Sequence, residues 1–117
     1  MIHLKLLSET AEDFRFAIYD ADVYVGGITV YPINPETAAY GILICSTFRQ
    51  QGYGKTALGC LFDLLAARGF NRIRARVESG NIPSLSLHRS LGFVQTGTEM
   101  GGKVLVFERP AASPCLP

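Results

Sequence analysis

The stretch Arg49-Gln50-Gln51-Gly52-Tyr53-Gly54-Lys55-Thr56 follows an apolar run and leads into an amphipathic segment, and the other predicted elements are arranged around it. Residues 40–45 precede it as a predicted strand. Residues 53–68 carry apolar side chains at intervals of three and four, which predicts a helix. A glycine turn between a strand and a helix leaves the first helical N–H groups unpaired, so they can bind an anion. The sequence therefore predicts an anion site made of backbone.

The segments before this turn predict an antiparallel meander. Their alternating, β-branched and aromatic side chains favour strands over residues 2–8, 14–19, 23–31 and 38–46. Gly26-Gly27 in the third strand indicates a bulge or a close backbone approach. Between the first two strands, residues 9–13 leave room for about one helical turn.

The segments after the turn predict a mixed sheet with two main helices, an α/β (α+β) fold. Residues 72–78 alternate as a strand, so the strand, helix and strand form a βαβ crossover that places residues 38–46 and 72–78 as parallel neighbours. A second helix is expected over about residues 82–91, with Asn81 as its N-cap. A closing hairpin is expected from residues 93–98 and 103–108.

Composition limits the classes of protein. The 117 residues predict one domain over residues 1–109 and a loose, proline-containing tail over residues 110–117. A net charge of +1 favours neither nucleic acid nor a membrane surface, and no apolar stretch approaches the ~20 residues of a bilayer span. The three cysteines are widely spaced, which argues against a disulfide framework and a metal site and favours a reducing cytoplasm.

Three interpretations of the glycine turn compete. It can be a plain structural turn, since such turns are common. It can be part of a nucleoside triphosphate loop, because Gly54-Lys55-Thr56 matches the end of that motif; however, Arg49 stands where the motif requires its first glycine. The third interpretation is a loop that binds the pyrophosphate of acyl-coenzyme A.

Two motifs carry a resemblance to a known family. Arg49-Gln50-Gln51-Gly52-Tyr53-Gly54 satisfies the Gln/Arg-x-x-Gly-x-Gly/Ala motif of the GNAT superfamily of N-acetyltransferases. The stretch from Asn81 to Phe93 resembles the second signature of that family, one helix and one strand downstream. The resemblance covers residues 14–108 and implies the GNAT fold with acetyl-CoA as cosubstrate. It also implies acetyl transfer to a primary amine, of a small molecule or a peptide, by direct attack on the thioester.

The resemblance also implies which residues bind acetyl-CoA. Backbone at the end of strand 38–46 would pair with the pantetheine arm, backbone N–H groups of the turn would hold the pyrophosphate, and Asn81 would fix the pantetheine amide. The implied cofactor-binding residues are Ile44, Cys45, Ser46, Arg49, Gln50, Gln51, Gly52, Tyr53, Gly54, Lys55, Asn81, Ser84 and His88.

Three residues are candidates for the chemistry. The N–H near Ile44 would stabilise the oxyanion, and His88 stands where many relatives carry the tyrosine that protonates the sulfur. Glu78 is a candidate base at the acceptor mouth. Alternatives stay open, because His88 can simply line the cofactor and water can relay the proton.

Other side chains near the site have competing interpretations. Arg72, Arg74 and Arg76 share a strand face with Glu78, and this face is either solvated charge or a selector of an acidic acceptor or a phosphate. Tyr31 and Tyr40 are weaker candidates for the base. Cys45 lies near the expected thioester, but a covalent acyl-cysteine is disfavoured because no base partner is visible in the sequence.

One departure from the family pattern concerns the acceptor side. Members usually carry two helices after the first strand, and only residues 9–13 are available here. Three consequences are possible: the acceptor pocket is open, a second subunit completes it in a homodimer, or the activity of the site is reduced. An acyl-CoA-binding module without acceptor chemistry is accordingly the alternative function, and a nucleoside triphosphate-binding protein is a less favoured one.

Overall fold

The structure, a computed structural model, describes residues 1–112 and consists of a seven-stranded sheet and two helices. The strands are β1 (Ile2–Glu9), β2 (Phe14–Asp20), β3 (Val23–Pro32), β4 (Thr37–Ile44), β5 (Arg72–Glu78), β6 (Val94–Glu99) and β7 (Val104–Pro110). The helices are α1 (Tyr53–Ala67) and α2 (Ile82–Ser90), and single 3₁₀ turns lie at Ser46–Phe48 and Met100–Gly102.

The strand order is β1-β2-β3-β4-β5-β7-β6, and every neighbouring pair is antiparallel except β4 and β5. The predicted α/β class, meander, parallel crossover and closing hairpin are therefore confirmed. The sequence did not indicate that β7 rather than β6 lies next to β5. In this arrangement the whole of β5, Arg72–Glu78, pairs on one side with Val104–Pro110 of β7.

Both helices pack on one face of the sheet, which we call the helix-covered face. The Tyr40 ring of β4 contacts Phe62 of α1 at a centroid distance of 6.1 Å and His88 of α2 at 6.0 Å. We call the opposite surface the bare face, since neither helix of residues 1–112 lies on it. There Tyr31 and Leu43 are 48% and 65% exposed.

The connection from β1 to β2 is a polar turn without a helix. The Thr10 hydroxyl accepts hydrogen bonds from the N–H groups of Glu12 and Asp13, both at 3.1 Å. Such side-chain bonds satisfy the backbone of a tight turn and compete with helix formation. The chain therefore turns directly from β1 into β2 without covering the bare face.

The ladder between β4 and β5 stops early and opens a gap. Thr37–Ala39 pair with Arg72–Arg74, whereas the rest of β4 pairs only with β3 and the rest of β5 only with β7. The two strands therefore diverge after Ala39. The backbone of β4 on the β5 side is left without a neighbouring strand from Tyr40 onward.

A close backbone approach holds β3 against β4. A Cβ atom at Gly26 would collide with the carbonyl oxygen of Leu43, so glycine is required there. The register shift lies opposite, between Ile18 and Tyr19 of β2. The close approach that the sequence predicted at Gly26-Gly27 is thus confirmed.

The end of the described chain is packed. The Ala111 N–H donates to the Asn71 carbonyl at 2.8 Å, and Ala111 is buried. Residues 113–117, with Cys115 and most of the predicted loose tail, lie outside the described residues. Neither helix in residues 1–112 has the length and hydropathy of a bilayer-crossing segment.

Candidate active site

The glycine turn presents unpaired backbone donors to a cavity. Gln50 and Gly52 have left-handed φ angles of 63° and 81°, and these bring the chain sharply from the 3₁₀ turn into α1. The Thr56 N–H donates to the Gly52 carbonyl at 3.2 Å. Within residues 1–112, the N–H groups of residues 53–55 have no acceptor and lie beside a cavity of about 370 Å³. The turn therefore has the backbone geometry of an anion site.

Several side chains of the turn are held by the protein itself. Arg49 Nε donates to the Ile44 carbonyl at 2.9 Å, and Gln51 Nε2 donates to the Thr47 carbonyl at 3.2 Å. The Tyr53 hydroxyl donates to Asp20 at 2.8 Å, and this hydrogen bond raises the pKa of Tyr53. These bonds fix the shape of the turn.

A second cavity of about 520 Å³ continues from the turn toward α2. It shares Ile44, Arg49, Gln50 and Leu87 with the cavity of the turn. A Cβ atom at Gly54 would lie 3.9 Å from Leu87 Cδ2 and 4.0 Å from Ile44 Cγ1. Glycine at this position therefore keeps the narrow passage between β4, α1 and α2 free of a side chain.

The end of β4 directs one N–H into the gap. The Cys45 N–H donates to the Val25 carbonyl of β3 at 2.8 Å, so it is not available to a ligand. Backbone groups of successive residues in a strand point to opposite sides. The Ile44 N–H therefore points away from β3, toward the side where β5 has diverged.

His88 is a buried and fully hydrogen-bonded histidine. It is 5% exposed; Nδ1 lies 2.7 Å from the Ser84 carbonyl oxygen, and Nε2 lies 2.7 Å from the Tyr40 hydroxyl. A carbonyl only accepts, so Nδ1 carries the proton and Nε2 accepts from Tyr40. Burial lowers the pKa of His88, against the opposing effect of the Ser84 carbonyl, and burial raises the pKa of Tyr40. The neutral forms of both residues are favoured.

Asn81 begins α2 as predicted. Its Oδ1 accepts a hydrogen bond from the Ser84 N–H at 3.2 Å, which satisfies one of the free donors at the helix start. Both residues line the second cavity next to His88. The Asn81 amide nitrogen has no acceptor within residues 1–112 and can donate to a ligand in that cavity.

A third cavity of about 310 Å³ fills the gap between β4 and β5. Tyr40, Glu78 and His88 line it, and Asn81 and Ser84 line both this cavity and the second one. Glu78 is exposed there, at the end of β5, the strand next to β4. The third cavity is thus the place where the candidate proton-transfer groups meet.

The three arginines of β5 are paired with carboxylates of the closing hairpin. Arg72 and Arg74 bond Glu108 at 3.1 and 2.8 Å, and Arg76 bonds Glu99 at 3.1 Å. Burial works in the opposite direction, but the hydrogen bonds from Arg74 and Arg72 lower the pKa of Glu108. Two carboxylates thus pair with the three arginines and compensate most of the positive charge of the face that the sequence offered as a selector of acidic acceptors.

The contact between Tyr40 and His88 was not indicated by the sequence. The two residues are 48 positions apart, and Tyr40 carries no motif signal. The structure brings His88, Asn81, Ser84, Ile44 and the turn onto one continuous channel. The Cys45 N–H is hydrogen-bonded to β3. The thiols of Cys45 and Cys60 are free and half-buried.

The anion-binding turn at the start of α1, opposite the gap between β4 and β5, is the arrangement that the two motifs imply for a transferase that uses acyl-CoA. The chain belongs to the acetyltransferase (GNAT) family, whose match covers residues 2–93. The GNAT identification from the two motifs is thereby confirmed.

Two curated relatives match part of the chain. The mycothiol acetyltransferase of Clavibacter michiganensis is 36% identical over 73 residues, which are 62% of this chain and 19% of that protein. The L-methionine sulfoximine/L-methionine sulfone acetyltransferase of Pseudomonas aeruginosa is 34% identical over 61 residues, which are 52% of this chain and 36% of that protein. The match therefore spans only a minor part of each relative's length.

Solved structures of acetyltransferases share the fold. The spermidine N-acetyltransferase from Vibrio cholerae, in complex with CoA and spermine, has a TM-score of 0.77 at 19% identity, over 86% of this chain and 67% of that one. The ribosomal-protein-S18-alanine N-acetyltransferase from Escherichia coli has a TM-score of 0.75 at 19% identity, over 93% of this chain and 77% of that one. At this identity the likeness establishes the GNAT fold.

Proposed function

We propose that this protein is an acetyl-CoA-dependent N-acetyltransferase that acts on a primary amine by direct attack. The observation that carries the proposal is the continuity of three cavities. They lead from the unpaired N–H groups at the start of α1 to the Tyr40–His88 pair in the gap between β4 and β5. The relatives named above, all acetyltransferases, support the same reaction class.

The residues present fit a coenzyme A. The N–H groups of residues 53–55 would hold the pyrophosphate, aided by the positive end of the α1 dipole. The side chain of Lys55 lines the same cavity and adds a positive charge. Asn81 would donate its amide N–H to the pantetheine arm. Coenzyme A supplies the activated thioester, and Gly54 leaves the passage wide enough for its arm.

The chemistry requires one backbone donor at the reacting carbonyl. The amine nitrogen forms a bond to the carbonyl carbon, and negative charge develops on the carbonyl oxygen. The C–S bond then breaks. The Ile44 N–H, directed into the gap, would bind that oxygen. A fixed donor of this kind lowers the barrier because it needs no reorganisation as charge develops.

His88 and Tyr40 would move the proton. Nε2 of His88 is an acceptor in the neutral tautomer, and the Tyr40 hydroxyl donates to it at 2.7 Å. The bound ammonium would first lose one proton to water, so that its nitrogen can attack. The excess proton on the nitrogen of the tetrahedral intermediate would then pass to the Tyr40 oxygen while the Tyr40 proton passes to Nε2. His88 then holds the proton that the leaving sulfur needs, which is the acid role expected from its place in the motif. Glu78 would attract the ammonium to the cavity.

A steady-state assay of CoA release over a panel of amines and peptides tests the proposal. Turnover that depends on both acetyl-CoA and an amine is the expected result. Saturable binding of acetyl-CoA without turnover on any acceptor would instead support the acyl-CoA-binding module. Competition of ATP with acetyl-CoA in calorimetry would support the nucleoside triphosphate alternative.

We also propose that the protein forms a homodimer and is located in the cytoplasm. Oligomers occur among proteins of this fold, since a dodecameric structure of the spermidine N-acetyltransferase from Vibrio cholerae is among the structural neighbours. Sedimentation velocity over a concentration series measures the assembly of this chain. A single monomeric species at all concentrations would contradict the homodimer.

A further inference from the structure

We infer that a groove on the bare face binds an apolar, preferably aromatic, body attached to the acceptor amine. The inference rests on the proposed function and names the class of substrate that the same site takes. The groove has a volume of about 420 Å³. Its lining includes Tyr24, Gly27, Thr29, Tyr31, Gly41 and Leu43, and we call it the glycine groove.

The glycine groove is open at Gly41 and is lined by several large side chains. A Cβ atom at Gly41 would have no heavy atom within 4 Å, so the missing side chain leaves open space. Tyr24, Tyr31 and Leu43 are 51%, 48% and 65% exposed. Aromatic and aliphatic walls around an open floor provide the contacts that a flat apolar group gains when it leaves water.

The glycine groove is continuous with the place of the reaction. Gly41 and Ile42 line both this groove and the cavity between β4 and β5 that holds Tyr40 and His88. A molecule that lies across Gly41 can therefore reach the pair with one end. This continuity selects a small amine as the occupant, because the reacting nitrogen and the body it carries occupy adjoining spaces.

The charges along the groove exclude a polyamine body. Arg15 is the only charged side chain that lines it among residues 1–112, and Arg15 pairs with Asp13 at 3.6 Å. A second ammonium group in the groove would face the Arg15–Asp13 pair and, within residues 1–112, no carboxylate that lines the groove. Glu78 lies in the adjoining cavity and serves the reacting ammonium alone. The occupant therefore has one amine and an apolar body, unlike the spermidine named for several neighbours.

Steady-state kinetics with three amines test the inference: phenethylamine, ethylamine and spermidine. We expect kcat/KM for phenethylamine to exceed both others by at least about tenfold, since a buried apolar group discriminates to this extent. Equal values for phenethylamine and ethylamine would overturn the inference while leaving the proposed function intact. A preference for spermidine would also overturn it. No turnover with any amine would overturn the inference together with the proposed function.

Gly41→Val locates the effect. Valine favours a central strand, and its Cβ meets open space, so the fold is retained while the groove is filled. We expect kcat/KM for phenethylamine to fall roughly tenfold more than kcat/KM for ethylamine, mainly through KM, with the Kd of acetyl-CoA changed less than about twofold. Gly97→Val in β6, also without contacts at its Cβ, is the matched control.

An equal loss for phenethylamine and ethylamine in Gly41→Val would overturn the inference. So would a loss that the Gly97→Val control reproduces. Sedimentation velocity of both variants identifies another occupant: if Gly41→Val alone dissociates a dimer, the groove binds a second copy of the chain and the inference is wrong.

Discussion

The two faces of the sheet differ in how deeply their apolar side chains are buried. On the helix-covered face, Leu58, Leu61 and Leu65 of α1 are completely buried against the strands. On the bare face, Tyr31 and Leu43 of the central strands remain about half exposed or more. One face is therefore a packed core, and the other is a surface that neither helix of residues 1–112 covers.

This difference separates two functions of one fold. The helix-covered face positions the turn before α1, the narrow passage at Gly54 and the Tyr40–His88 pair, so its packing would determine the geometry of the proposed reaction. On the bare face, the open space at Gly41 is available to select the acceptor that enters the groove. Substitutions on the two faces should consequently change different measured quantities.

Gly54→Val should give the largest effect. A branched side chain toward Leu87 and Ile44 closes the passage and keeps the ligand away from the N–H groups at the start of α1. We expect about a thousandfold weaker binding of acetyl-CoA, equal to about 4 kcal/mol, measured by isothermal titration calorimetry. Gly59→Val in the same helix, whose Cβ meets open space, is the control. Unchanged affinity in Gly54→Val would refute the passage.

Leu61→Ala should lower stability more than the same truncation on the other face. Leu61 is 0% exposed, and the cavity left by its removal costs about 3 kcal/mol of unfolding free energy, within the usual span for such sites. Leu43→Ala on the bare face should change it by less than about 0.5 kcal/mol. Urea denaturation measures both. Similar losses would mean that the bare face is covered in solution.

His88→Phe and Tyr40→Phe should lower turnover without changing cofactor affinity. Each removes one member of the proton path, and a loss of about a hundredfold in kcat is typical for such groups. Thermal unfolding serves as the control for folding. If turnover is unaffected in both variants, the pair is only structural packing.

The pH dependence of wild-type kcat gives a second reading of the same pair. In the proposed mechanism the neutral form of His88 accepts the proton, and burial lowers the pKa of His88 below the ordinary 6.5. Activity should therefore persist at pH 6.5 and be lost as the pH falls further, through the lowered pKa of His88. An acid limb centred at or above pH 6.5 would contradict this assignment.

Glu108→Gln should have the smallest effect. Although its partial burial has the opposite effect, hydrogen bonds from Arg74 and Arg72 lower the pKa of Glu108 below its ordinary 4.5. The folded state therefore gains stability from ionised Glu108 above pH 4.5 and loses it as the pH falls through the lowered pKa. We expect roughly 1 kcal/mol lower stability at neutral pH and a flatter loss in acid. If the unfolding free energy of Glu108→Gln falls with decreasing pH as steeply as that of the wild type, Glu108 is not the source of the loss in acid.

The sequence predicts the helix-covered face better than the bare one. The apolar spacing of α1, the cap at Asn81 and the alternation in β5 are local patterns, so the elements and their order follow from them. The contact between Tyr40 and His88 joins residues 48 positions apart and left no local signal. The pairing of Glu108 with Arg72 and Arg74 depends on β7 lying beside β5, which hairpin patterns do not determine.

The assignment of separate binding functions to the two faces is tested most directly by amide chemical-shift mapping of the ¹⁵N-labelled protein. Addition of CoA should shift the amides of residues 50–55 and Ile44 and leave Gly41 and Thr29 unchanged. Subsequent addition of phenethylamine should shift Gly41, Thr29 and Tyr31. Shifts of the bare face on CoA addition, with the glycine turn unaffected, would contradict this division.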